Sequence, residues 1–104
     1  VHLHDTQALG LANATVALQA GIRTFDSSVG GLGGCPFAPG AAGNLATEDL
    51  VFLAFKVGLG TGVDFARLWS VVYELEGVIG RPIGGRIRQW WESSHDGEPI
   101  IDFN

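Results

Sequence analysis

The stretch Val1–Ser28, VHLHDTQALGLANATVALQAGIRTFDSS, reads as strand, helix, strand, and that order sets the fold class. Val1–Thr6 (VHLHDT) alternates apolar and polar residues, as at the C-terminal end of a strand. Residues two apart on a strand point the same way, so His2 and His4 share a face. Gln7–Ala20 is rich in Ala and Leu, with Leu9, Ala12, Val16 and Ala20 near helical spacing and Gly21 at the terminator position. Ile22–Ser28 reads as a second strand, with Ile22, Thr24 and Asp26 on one face.

Downstream, residues 29–44 (VGGLGGCPFAPGAAGN) are too rich in Gly and Pro for regular structure. A loop of that length within a compact domain is usually functional. A helix is predicted from Thr47, a capping residue followed by Glu48 and Asp49, to about Val57. Another is predicted after Asp64, where Phe65, Leu68, Trp69, Val72, Leu75 and Ile79 form an apolar stripe that Gly80, Arg81 and Pro82 end. A short helical stretch around Trp90 and Trp91 and a loose tail from about Ser93 complete the reading. The order is βαβα, so the class is α/β with parallel strands and helical crossovers. Two strands cannot make a covered parallel sheet. The pattern therefore reads as about two βα units of a TIM (β/α)₈ barrel plus further helices. Residues 1–104 form one incomplete domain, with barrel units and helices over 1–92 and the tail over 93–104.

Composition narrows the function classes. Of 104 residues, 46% are hydrophobic and 16% charged, which argues against disorder. The net charge of −5 argues against a nucleic-acid partner, and no apolar run has a bilayer-spanning length. One cysteine cannot build a disulfide framework. The chain contains no Met and no secretory-signal pattern, so it is expected to be cut from something longer.

The chemistry-bearing residues cluster around the strand ends and the glycine loop. His2-Leu3-His4 places two imidazoles where one metal can bind both; the plainer alternative is a packed or hydrogen-bonded pair at a strand end. Asp5 either orients an imidazole or caps the next helix. Cys35 sits in GGLGGCP, where Gly33 and Gly34 let backbone approach a ligand. A thiol there can act as a general acid or base, and a buried inert cysteine is the alternative. Asn44 is either a plain cap or an amide-oxygen ligand. Imidazoles, an amide oxygen and a carboxylate from elsewhere suit Mg²⁺ or Mn²⁺ better than a thiolate zinc site. Glu48 and Asp49 read most simply as acids at a helix N-terminus. The stripe containing Trp69 reads as core.

Taken together, VHLHDT, DSSVGGLGGCPFAPGAAGN and ATEDL resemble the 3-hydroxy-3-methylglutaryl-CoA lyase family, metal-dependent lyases and synthases on a TIM barrel. The match is close over residues 1–63 and looser over the third helix. The Cys-bearing loop sets it apart from isopropylmalate and citramalate synthases, which share the H-x-H and the later Gly-Asn. The resemblance places the chain in the C-terminal part of the barrel, about the last two βα units plus the C-terminal helices. It implies His2, His4 and Asn44 as ligands of a divalent cation (Mg²⁺ or Mn²⁺) and Cys35 as the proton-transfer residue. It further implies Gly33 and Gly34 against substrate, with Asp5 and Glu48 behind the site. The implied reaction is retro-Claisen cleavage of 3-hydroxy-3-methylglutaryl-CoA to acetoacetate and acetyl-CoA. The alternatives are a related acyl-CoA synthase, a lyase of another hydroxyacyl-CoA, or a non-catalytic truncated module. The implied partners are an acyl-CoA substrate, the rest of the barrel and a second copy in a homodimer of the intact enzyme. HDTQALGLAN looks bacterial, which implies a cytoplasmic location. The family's ligand aspartate, its neighbouring arginine and a sixth-strand acid have no counterpart in these residues. The isolated chain is therefore expected to bind metal weakly, to be inactive and to fold poorly alone.

Overall fold

A computed structural model describes residues 1–33 and 43–95. Four helices follow in chain order: α1 (Gly10–Gln19), α2 (Thr47–Lys56), α3 (Phe65–Ile79) and α4 (Arg88–His95), with a 3₁₀ turn at Val29–Gly31. The two segments expected as strands are extended. Among the described residues they meet as isolated bridges rather than ladders: His2 with Asp26 and Ser28 with Ala46, both parallel, and His4 with Asn44, antiparallel. The parallel sense matches the expected βαβα order. Each pairing stops at a single bridge, and a parallel sheet is ordinarily built with both of its faces covered.

Helix α1 starts three residues later than expected. Ala8 takes a left-handed φ of 64°, and the Asp5 carboxylate accepts the Gly10 amide at 3.0 Å, so the first turn forms only there. The expected apolar face is also corrected. Leu9, Ala12, Val16 and Ala20 are exposed, whereas Gly10 and Ala14 are buried. The smallest side chains face inward because the contact is close: a Cβ on Gly10 would lie 3.0 Å from both Asp5 Oδ1 and a Leu45 methyl.

Helix α3 matches its sequence pattern. Asp64 caps it by accepting the Arg67 amide at 3.1 Å, and Gly80 ends it in the left-handed region. Phe65, Leu68, Trp69 and Val72 are buried and join Val51 of α2 and Ile83 in one core. The stripe runs off that core at its far end: Leu75 is half-buried and Ile79 exposed. Helix α4 extends to His95, two residues beyond the expected start of the tail. It folds back over α3, with the Trp91 ring stacked on Trp69 at 5.7 Å and Phe65 edge-on to both. Offset and edge-to-face aromatic contacts of this kind add about 0.5–1.5 kcal/mol each beyond area burial. Arg88 ion-pairs with Glu76 across the same turn, which holds the Glu76 carboxyl below its ordinary range. No helix among the described residues is long and apolar enough to cross a membrane.

Candidate functional site

The two extended segments and the residues just before α2 converge at one end of the fold. His2 and His4 project from the same side of the first segment, and their Nε2 atoms lie 3.0 Å apart, within hydrogen-bond distance, with the rings edge-on, so the plainer alternative of a hydrogen-bonded pair is also met. An octahedral Mg²⁺ keeps its donors about 2.0–2.1 Å away, so donors on adjacent corners lie about 2.9 Å apart. The imidazole pair therefore fits two corners of such a site, and both rings are solvent-accessible. Among the described residues no three His, Cys, Asp or Glu side chains gather into a metal site. The pair thus needs an amide oxygen and donors from outside this set to complete a shell.

Asn44 is placed to help. Its backbone bridges His4 antiparallel, and directly opposed residues of such a bridge carry their side chains to one face. The amide nitrogen donates to Leu32 O at 2.9 Å, which leaves the amide oxygen without a hydrogen bond to this carbonyl and able to accept. Gly33 packs against this amide so closely that a Cβ would lie 2.5 Å from Nδ2, and its φ of 107° is left-handed. No other residue type fits there without moving Asn44. Gly33 and Asn44 also line a groove of about 500 Å³ that continues past Asp49 to Arg81 and Arg86. Gly34 and Cys35, the second expected substrate-binding glycine and the expected proton donor, lie outside the described residues.

Three carboxylates make bonds beyond those the sequence reading gave them, and Asp5 also meets its expected capping role at the first amide of α1. Asp26 accepts a short hydrogen bond from His2 Nδ1 across the parallel bridge. The two Asp5 oxygens accept from the Gly10 amide and from Arg86 Nε at 2.9 Å, so Asp5 joins α1 to the C-terminal segment. Glu48, fully buried, accepts the Gly30 amide with one oxygen and the Gly85 amide with the other, both at 2.9 Å.

Helix α2 is corrected accordingly at its N-terminus. Ala46 holds the cap position and Thr47 does not cap; its hydroxyl meets Ser27 Oγ at 2.7 Å. Asp49 is buried and grips the Arg86 and Ile87 amides at 2.8 and 2.9 Å. Burial pushes the Asp49 carboxyl above its ordinary value, and nearby Glu48 and Asp5 add to this, while the two amides pull it back. The acids at this helix start therefore act mainly as clamps on distant backbone, not as partners of their own helix dipole. Short-range spacing could not reveal this, because the amides they hold lie 18 to 38 residues away.

Residues 1–74 match the family model described as HMGL-like. The chain is 46% identical over 94 residues to a hydroxymethylglutaryl-CoA lyase of Bacillus subtilis, covering 90% of this chain and 31% of that protein. It is 51% identical over 83 residues to an (R)-citramalyl-CoA lyase of Chloroflexus aurantiacus, covering 80% of this chain and 26% of that one. A solved structure of an HMG-CoA lyase from Acinetobacter baumannii, in complex with coenzyme A and 3-methylmalate, superposes with a TM-score of 0.78 at 40% identity. That match covers 96% of this chain and 32% of the other. The chain spans about a third or less of the length of these relatives. It belongs to the HMGL-like family.

Proposed function

We propose that this HMGL-like chain is the C-terminal third of a carbon–carbon lyase that cleaves 3-hydroxy-3-methylglutaryl-CoA, built as the last two βα units and C-terminal helices of a (β/α)₈ barrel. The observation that carries the reading is the pair of His2 and His4 Nε2 atoms 3.0 Å apart beside Asn44. These three residues hold a divalent cation, Mg²⁺ or Mn²⁺, together with donors from the rest of the barrel. When bound, the cation supplies Lewis-acid stabilisation of charge on the substrate oxygens. In a (β/α)₈ barrel such residues sit at the C-terminal ends of the strands, where catalytic groups gather.

In the reaction a base takes the proton of the tertiary hydroxyl. The hydroxyl becomes a ketone, the C2–C3 bond breaks, acetoacetate leaves, and the enolate of acetyl-CoA remains. Cys35, in the glycine-rich stretch of the sequence, delivers a proton to that enolate carbon. Gly33 and Gly34 let the loop backbone approach the acyl group. The groove, lined by Arg81 and Arg86 among others, takes the CoA portion, where the arginines would supply positive charge toward its phosphates. The intact enzyme works in the cytoplasm.

The 51% identity to a citramalyl-CoA lyase favours one further reading, cleavage of a neighbouring hydroxyacyl-CoA by the same chemistry. Assaying the full-length protein with Mn²⁺ on both thioesters separates them. The expected result is acetoacetate from 3-hydroxy-3-methylglutaryl-CoA and loss of turnover after EDTA, restored by Mn²⁺. Pyruvate from citramalyl-CoA with no acetoacetate would transfer the assignment to the second substrate, and cation-independent turnover would remove the metal from it.

A further inference from the structure

We propose that Asp26 is a positioning residue for the cation site, acting through His2. The inference rests on the reading that His2 and His4 hold a divalent cation. Asp26 and His2 face each other across a parallel bridge, and the Asp26 amide donates to Val1 O at 3.1 Å, which fixes the register between the segments. In that register the Asp26 carboxylate accepts from His2 Nδ1. An imidazole with its proton on Nδ1 carries its lone pair on Nε2, and His2 Nε2 is the atom beside His4 Nε2. The carboxylate thus selects the tautomer that can bind a cation and stops the ring from turning.

Asp26 does not act as a ligand in this arrangement, because its oxygen lies at the opposite side of the ring from Nε2. Asp5, the carboxylate adjacent to the His-Leu-His run, has both oxygens taken by Gly10 and Arg86. Asp26 is 69% exposed among the described residues, where its carboxylate bonds only His2 Nδ1. An ordinary exposed ion pair would contribute almost nothing to stability or to metal binding, and the test distinguishes that case.

The test titrates Mn²⁺ into the full-length protein and follows free Mn²⁺ by electron paramagnetic resonance. Asp26→Ala is expected to weaken Mn²⁺ binding about 10- to 100-fold. Asp26→Asn keeps an acceptor oxygen without the charge and is expected to weaken it less. In a His2→Ala background, Asp26→Ala is expected to have no further effect, because its action passes through the ring. Nitrogen-15 NMR should show the His2 ring in the Nδ1–H form in the metal-free wild type and a tautomer mixture in Asp26→Ala. Affinity within twofold of wild type in Asp26→Ala would overturn the inference. So would an equal loss with and without the His2 ring. Absence of Mn²⁺ binding by the wild type would instead remove the underlying metal reading and this inference with it.

Discussion

Replacing Cys35 with alanine in the full-length protein is expected to lower kcat by about 10²- to 10⁴-fold, the usual range for losing a positioned acid or base, while Mn²⁺ affinity stays at the wild-type value. The split follows from the division of labour proposed above. In that proposal the cation would be held by imidazole and amide atoms of His2, His4 and Asn44, with the thiol outside its ligands. The enolate of acetyl-CoA is a short-lived carbanion-like species that must meet its proton donor before bulk water does, and the proposed thiol would meet that need. Steady-state kinetics beside a Mn²⁺ titration check it. Unchanged kcat removes the proton-transfer role, whereas a parallel loss of Mn²⁺ affinity would move Cys35 into the metal shell.

Glu48→Ala is expected to have the largest effect on stability. The buried Glu48 side chain holds the Gly30 and Gly85 amides, 18 and 37 residues away, the first bond buried and the second part-buried. Hydrogen bonds to charged groups contribute about 1.5–3 kcal/mol each, so removing both costs about 3–6 kcal/mol. Domains are stable by only about 5–15 kcal/mol in total. The melting temperature of the full-length variant should fall by well over 5 °C (a 1 kcal/mol change shifts Tm by about 2–4 °C at 150–250 residues). Glu48→Gln should fall between the two, because its oxygen still accepts one amide while its NH₂ faces the other, donor to donor. A melt within about 2 °C of wild type for Glu48→Ala would show that the clamp is not needed. The variant should also disturb the groove, since Gly30 starts the glycine loop and Gly85 lies on the far wall.

What sequence could reveal here depended on distance along the chain. Helix α3 was legible because its cap, stripe and glycine stop all lie within 17 residues, from Asp64 to Gly80. The shared face of His2 and His4 was legible from a two-residue spacing alone. The buried face of α1 was not, because a close helix contact selects its smallest residues and hydrophobic periodicity favoured Leu9 and Val16. Asp26 was seen to lie on a strand face, but its meeting with His2 depends on the register between segments 24 residues apart. Glu48 and Asp49 had a sufficient local explanation as helix-start acids, and that explanation hid their long-range bonds. The strands read from alternation appear as extended segments joined by single bridges.

Mn²⁺ titration of the full-length wild type against His4→Ala is the most direct measurement of the metal site. Binding by the wild type, with affinity reduced at least about 10-fold in a variant that keeps the wild-type circular dichroism, is the predicted result, in line with the loss seen when even an outer-shell partner is removed. Equal affinity in the two proteins would contradict it.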